Sequence, residues 1–143
     1  MKILIVEDDK VFGDVIMKTV RKWGYKTEKA ESGKEAMEKI RKESFDLVLL
    51  DLLLPDCKGY ELISQFRRVW PDIDVVTMTA YNSRDIESKV RKQSVAFYMS
   101  KPFSMKQLRT ALDHIRRKKL QYETTHLFYS DGASYGENSL RDL

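Results

Sequence analysis

Glu7, Asp8 and Asp9 follow the apolar run Ile3-Leu4-Ile5-Val6, and Asp51 follows Leu47-Val48-Leu49-Leu50. Thr79 and Ala80 close the run begun by Val75-Val76, and Lys101-Pro102 come directly after Phe97-Tyr98-Met99-Ser100. Gathered into one crevice, these residues supply several carboxylates, one hydroxyl and one ammonium. Crowded carboxylates repel unless one takes a proton or a cation sits among them. Oxygen donors without cysteine or histidine favour Mg2+, which keeps some waters and leaves a face for phosphate oxygens. A lysine and a hydroxyl beside that cation suit the remaining oxygens of a phosphoryl group. Asp51, alone at the end of its run, is then the nucleophile that forms an acyl phosphate. Helix capping by Asp51 and surface charge at Lys101 explain these residues singly. They do not explain compatible groups at four run ends at once.

That crevice needs elements which bring the run ends together. The uninterrupted run at residues 3–6 is that of a strand buried on both faces. Residues 25–30 form a weaker, polar strand, expected nearer a sheet edge. Residues 45–50 carry the strongest strand signal and are expected at the centre, and residues 75–79 and 96–99 complete a set of five. Between them Val11, Phe12, Val15, Ile16, Thr19, Val20 and Trp23 recur at helical spacing behind Asp9 as N-cap, and Gly24 ends that helix. Ser32-Gly33-Lys34-Glu35 reads as a capping box ahead of Ala36, Met37 and Ile40. Pro55, Asp56 and Gly59 mark a loop before a helix through Leu62, Ile63 and Phe66. Residues 84–93 predict a charged fourth helix anchored by Ile86 and Val90. Ser104-Met105-Lys106-Gln107 is a second capping box, before Leu108, Ala111, Leu112 and Ile115. Five β–α units in series predict an α/β fold, a doubly wound parallel sheet with right-handed crossovers and its functional crevice at the carboxyl ends of the strands.

Composition narrows the classes. With 42% apolar and 34% charged residues over 143 positions, the chain is globular rather than disordered. Its apolar runs fall far short of the ~20 residues a membrane span needs. The N-terminus turns acidic too early for a signal-peptide core, so a cytoplasmic location and no membrane partner are expected. Cys57 is the sole cysteine, which excludes a disulfide framework or a Cys-rich zinc site; it is expected as a reduced, partly buried thiol. His114 and His126 stand too far apart for a metal or triad reading. The net charge of +4 divides into +7 on residues 1–119 and −3 on residues 120–143. No nucleic-acid motif accompanies the excess, which reads as a solvated basic surface.

Residues 1–118 resemble a response-regulator receiver domain of two-component signal transduction, CheY-like, with the flavodoxin-like (βα)5 fold. The segments that carry the resemblance are Ile3-Leu4-Ile5-Val6-Glu7-Asp8, the stretch from Asp46 through Asp51-Leu52-Leu53-Leu54-Pro55 to Gly59, Met78-Thr79-Ala80, and Ser100-Lys101-Pro102-Phe103. The resemblance implies that Asp51 is the phosphoacceptor, served by a sensor histidine kinase or a histidine phosphotransfer protein. It implies that Asp8, Asp51 and the backbone carbonyl of Leu53 ligate Mg2+ directly and Glu7 through water. Thr79 matches the switch hydroxyl, Lys101 the phosphate-pairing lysine with a cis bond to Pro102, and Tyr98 the switch aromatic. Phosphorylation would then alter the face made by the fourth helix, fifth strand and fifth helix. Such a domain assists its own phosphorylation and dephosphorylation and is not an enzyme with a separate turnover substrate.

The sequence departs from the family at Ser94-Val95, where Gly-Ala is common, and at Phe97, where Asp often precedes the switch aromatic. Leu53 and Tyr81, each two residues past a key position, are bulky and are expected to hinder an attacking water. A flavin carrier of similar topology would need a phosphate loop where Glu7-Asp8-Asp9 stands. An aspartate-nucleophile phosphatase would need a second acid where Leu53 stands. A pseudo-receiver would lack the acidic pair, Asp51, Thr79 and Lys101. Trp23 and Trp70 are expected to pack at helix ends, and Arg116-Arg117-Lys118-Lys119 to complement the end of a helix. The domains expected are a receiver at residues 1–119 and an extension at 120–143 that carries the last helix to about Tyr129. Ser130-Asp131-Gly132 and Gly136 read as loop. Tyr122, His126 and Tyr129 continue the stripe of Leu108, Leu112 and Ile115. The reading therefore allows a homodimer through the tail or through the face of the fourth helix, fifth strand and fifth helix. DNA is expected only through an output domain outside this sequence.

Overall fold

A computed structural model describes the main chain of residues 1–81 and 83–141, and side chains as far as Leu127. The chain forms two compact units, Met1–Arg109 and Thr110–Leu143. In order, the elements are β1 (Lys2–Val6), α1 (Lys10–Lys22), β2 (Lys26–Ala30), α2 (Gly33–Lys42), β3 (Leu47–Asp51), α3 (Gly59–Val69), β4 (Asp74–Thr79), α4 (Arg84–Arg91), β5 (Phe97–Ser100) and α5 (Met105–Arg141). The strands form one sheet in the order β2-β1-β3-β4-β5, and every neighbouring pair is parallel. The strongest apolar run is therefore the central strand and the polar one an edge, as their composition predicts.

Alternation along each strand divides the core into two layers. One layer collects Leu4, Val6, Val48, Leu50 and Val75 with Ala36, Met37 and Ile40 of α2 and Leu62, Ile63 and Phe66 of α3. The alternate residues Ile3, Ile5, Leu47, Leu49, Val76 and Met78 are equally buried and face the other side, where Ile16 and Val20 are the buried side chains of α1. Each such side chain contributes roughly 1.5–3 kcal/mol by leaving water. Trp70 caps the first layer at the end of α3 and donates from Nε1 to the Ile40 carbonyl at 2.7 Å.

The helix boundaries obey their caps. Asp9 accepts the Phe12 N–H at 3.1 Å, and Gly24 takes φ of +95° just past α1, a left-handed conformation that suits glycine. At α5 the capping box is reciprocal: Ser104 accepts the Gln107 N–H at 3.1 Å and donates its own N–H to Gln107 at 2.8 Å. At α2 Ser32 accepts the Glu35 N–H at 3.1 Å, but the Glu35 carboxylate returns to the Glu31 N–H at 3.0 Å, one residue earlier than a standard box.

Two expectations are corrected. Val11 and Val15 share the apolar spacing of α1 yet are 76% and 48% exposed; the set covers more than the one stripe a helix can bury. Gly13, not a large apolar residue, is buried there beside Glu7. The last helix does not stop near Tyr129 but continues through Ser130-Asp131-Gly132 and Gly136 to Arg141. A glycine weakens a helix by roughly 1 kcal/mol without blocking it, and no proline follows Pro102. The side chain of Tyr129, part of the expected dimer stripe, lies outside the described residues. Among those described, no helix is long and apolar enough to cross a membrane.

Gly59 ties the packing to the strand end. A Cβ there would lie 2.3 Å from the Asp51 carbonyl oxygen and 2.8 Å from the Leu52 Cα, backbone atoms that cannot yield independently. Gly59→Ala is expected to lower the unfolding free energy by roughly 1–3 kcal/mol, measured by urea denaturation; an unchanged midpoint would mean that α3 shifts freely at its start.

Candidate functional site

The parallel register brings the ends of β1, β3, β4 and β5 to one edge of the sheet. Glu7 follows β1 and is fully buried, Asp51 ends β3 at 5% exposure, and Thr79 ends β4 fully buried. Lys101 follows β5 and spans them. Its Nζ donates to Glu7 Oε1 at 2.5 Å and to Asp51 Oδ2 at 3.1 Å. Asp51 Oδ1 accepts the Leu53 N–H at 3.0 Å, so both oxygens of its carboxylate are oriented. Asp8 is exposed, and ligand oxygens of Glu7, Asp8 and Asp51 all lie within 4.8 Å of one another.

The three consecutive acids after β1 divide by backbone direction. Glu7 points into the pocket, Asp8 stands at its mouth, and Asp9 turns away to cap α1.

Electrostatics make the pocket tense. Burial first, and then the neighbouring Asp51 carboxylate, push the Glu7 carboxyl up to about 8 against the opposing pull of Lys101. Glu7 Oε2 is buried and accepts no hydrogen bond. Burial works against the Lys101 charge, but Glu7 and Asp51 outweigh it and hold the ammonium above its ordinary pKa. A buried oxygen without a donor, beside two further carboxylates, fits a hard divalent cation. Cys57 takes no part: burial and Asp56 push its thiol up to about 11, which disfavours the reactive thiolate.

The remaining expected residues are placed as follows. The Thr79 hydroxyl donates to the Tyr81 carbonyl and accepts the Tyr81 N–H, both at 3.0 Å, so it faces the β4–α4 loop. Tyr98 lies on β5 beside Thr77 in register, half-buried, with the Arg91 guanidinium 5.9 Å from its ring centre. Lys101 and Pro102 are joined by a cis peptide bond. Leu53 pairs with Lys58 in an isolated antiparallel bridge, and its side chain is 48% exposed. Sequence reasoning missed Phe12, whose ring lies 4.6 Å from Lys101 Nζ and meets Phe103 edge-on at 5.8 Å. Its signal was an aromatic in the first turn of the helix that follows the acids, which periodicity assigns to the core.

A family model for the response regulator receiver domain matches residues 3–113. The chain belongs to the response-regulator receiver domains of two-component systems. This receiver is 34% identical over 110 residues to the transcriptional regulatory protein ZraR of Klebsiella oxytoca, covering 77% of the chain and 25% of that protein. It thus spans about a quarter of the length of the first curated relatives it matches. It is 32% identical to the sporulation initiation phosphotransferase F of Bacillus subtilis, covering 78% of the chain and 90% of that protein. The crystal structure of a two-component response regulator from Clostridium difficile superposes with a TM-score of 0.79 at 26% identity, covering 83% of this chain and 98% of that one. The receiver fold is the five-stranded, doubly wound (βα)5 arrangement expected from the sequence.

The raised Glu7 carboxyl gives a pH signature. Its folded pKa exceeds the unfolded value of 4.5, so its contribution is complete below that value and is lost as pH rises through about 8. In metal-free buffer the melting temperature of the wild type is expected to fall across this window relative to Glu7→Gln, followed by calorimetry. Parallel profiles would show that Glu7 ionises normally.

Proposed function

We propose that this receiver is a phosphoacceptor switch in which Asp51 takes a phosphoryl group from a phosphohistidine of a sensor histidine kinase or histidine phosphotransfer protein. The observation that carries the reading is the orientation of the Asp51 carboxylate between the Leu53 N–H and the Lys101 ammonium. Residues 1–119 form the switch, and residues 120–143 extend it. Asp8, Asp51 and the Leu53 carbonyl would hold Mg2+ directly and Glu7 through water, and the bound ion supplies charge neutralisation to the transferring group.

The chain's own residues do the rest. An Asp51 oxygen attacks phosphorus in line, the P–N bond to histidine breaks, and the histidine keeps the electron pair and takes a proton. Lys101 offsets charge on the phosphoryl oxygens. The new acceptor oxygens draw the Thr79 hydroxyl away from Tyr81, and Tyr98 moves into the space it leaves. The face formed by α4, β5 and α5 is thereby switched to control an output domain or partner. The domain assists its own phosphorylation and dephosphorylation and turns over no separate substrate. Its proposed setting is the cytoplasm, with no membrane partner. ZraR is named as a transcriptional regulator; for this receiver DNA is a partner only if an output domain accompanies it. A homodimer through the α4–β5–α5 face or the helical extension is the accompanying proposal for assembly.

Incubated with Mg2+ and acetyl phosphate, the wild type is expected to gain the mass of one phosphoryl group and Asp51→Asn none, read by intact-mass spectrometry. Equal labelling of both would exclude Asp51 as the acceptor. Leu53 and Tyr81 are 48% and 58% exposed at the pocket's flanking loops. Replacing Leu53 with a small polar side chain admits water, so Leu53→Asn is expected to lose the label several-fold faster. Loss at the wild-type rate would remove Leu53 as the shield.

A further inference from the structure

The loop between β3 and α3, residues 52–58, is fastened in three places. Its near end holds the phosphoacceptor, because Leu53 donates its N–H to Asp51 Oδ1 at 3.0 Å. Its far end closes on its start, with the Gly59 N–H on the Leu52 carbonyl at 2.8 Å and Leu53 bridged to Lys58. The third fastening crosses to a different element. Asp56 Oδ1 accepts the N–H of Gly33, and Oδ2 accepts that of Lys34, each at 2.9 Å.

Gly33 and Lys34 are the first two residues of α2, whose amides have no partner within the helix. The third amide, of Glu35, is taken by Ser32 Oγ at 3.1 Å. Asp56 therefore completes the cap of a helix that began more than twenty residues earlier, as a carboxylate on the positive end of the helix dipole. Both backbone donors hold its carboxyl below the ordinary aspartate range. The approach is close: a Cβ on Gly33 would lie 2.5 Å from Cys57 Sγ and 3.4 Å from Asp56 Oδ1. Leu52 anchors the start of the loop, buried and with its N–H on the Met78 carbonyl at 3.1 Å; beyond it Leu53, Pro55, Asp56 and Lys58 are exposed, and Leu54 and Cys57 are partly buried against the core.

We propose that Asp56 is a positioning residue for the phosphoacceptor site: by clamping its loop to the start of α2 it fixes the Leu53 N–H that orients Asp51 and the Leu53 carbonyl that would ligate Mg2+. This inference rests on the phosphoacceptor reading above. Cap loss and loop release make different predictions. Removing an acceptor from α2 alone weakens the helix and leaves the loop in place. Removing Asp56 frees the loop, and a metal site tolerates little displacement of its ligands.

The test is calorimetric titration of Mg2+ into the whole chain as wild type, Asp56→Ala, Asp56→Asn and Ser32→Ala, with a melting temperature for each. Asp56→Ala is expected to weaken Mg2+ binding roughly tenfold. Asp56→Asn keeps one acceptor oxygen and falls between; it carries the comparison if Asp56→Ala does not fold. Ser32→Ala is expected to lower the melting temperature and keep the wild-type Mg2+ affinity. Wild-type affinity in both Asp56 variants overturns the inference and leaves the phosphoacceptor reading standing. So does a loss of affinity in Ser32→Ala equal to that in Asp56→Ala. A wild type that binds no Mg2+ overturns the phosphoacceptor reading and the inference with it.

Discussion

The Lys101 ammonium between Glu7 and Asp51 is the contact on which the pocket depends. Two carboxylates at the apolar edge of a sheet cannot both ionise unless something cationic stands between them. Lys101 meets that need from the end of β5, two strands away from β3, its charge resting above the Phe12 ring. The compensation is incomplete. Glu7 keeps one oxygen without a donor and a carboxyl pushed up to about 8. A site that one lysine neutralises only in part has a remaining preference for positive charge, which a divalent cation or the donors around a transferred phosphoryl group would satisfy.

The proposed switch is favoured by the same bookkeeping of hydrogen bonds. Thr79 makes two neutral bonds to the Tyr81 main chain, each worth on the order of 1 kcal/mol net. A bond to an anionic phosphoryl oxygen is roughly twice as strong as a neutral one, so exchanging the first set for the second is nearly balanced. A near balance is what a reversible two-state element requires.

Much of this was legible in the residues. Strands buried on both faces read as unbroken apolar runs, which is why β3 was placed at the centre and β2 at an edge. Asp9 was legible as the N-cap of α1 because an N-cap is a local pattern, whereas its exclusion from the acidic pair came from the family resemblance. The contacts that escaped reading are those between positions distant in sequence or decided by shape. Phe12 under Lys101, Gly13 against Glu7, Gly59 against the Asp51 carbonyl and Asp56 on α2 all depend on how closely two elements approach, which no periodicity encodes. The length of α5 escaped for a different reason: glycine weakens a helix but does not end it.

The most direct test of the central claim is an anomalous-scattering map from crystals grown with Mn2+ in place of Mg2+. The account predicts a peak bounded by the carboxylates of Asp8 and Asp51 and the carbonyl of Leu53, with Lys101 still beside Asp51. A peak elsewhere on the molecule, or an ordered pocket with no peak, would contradict it.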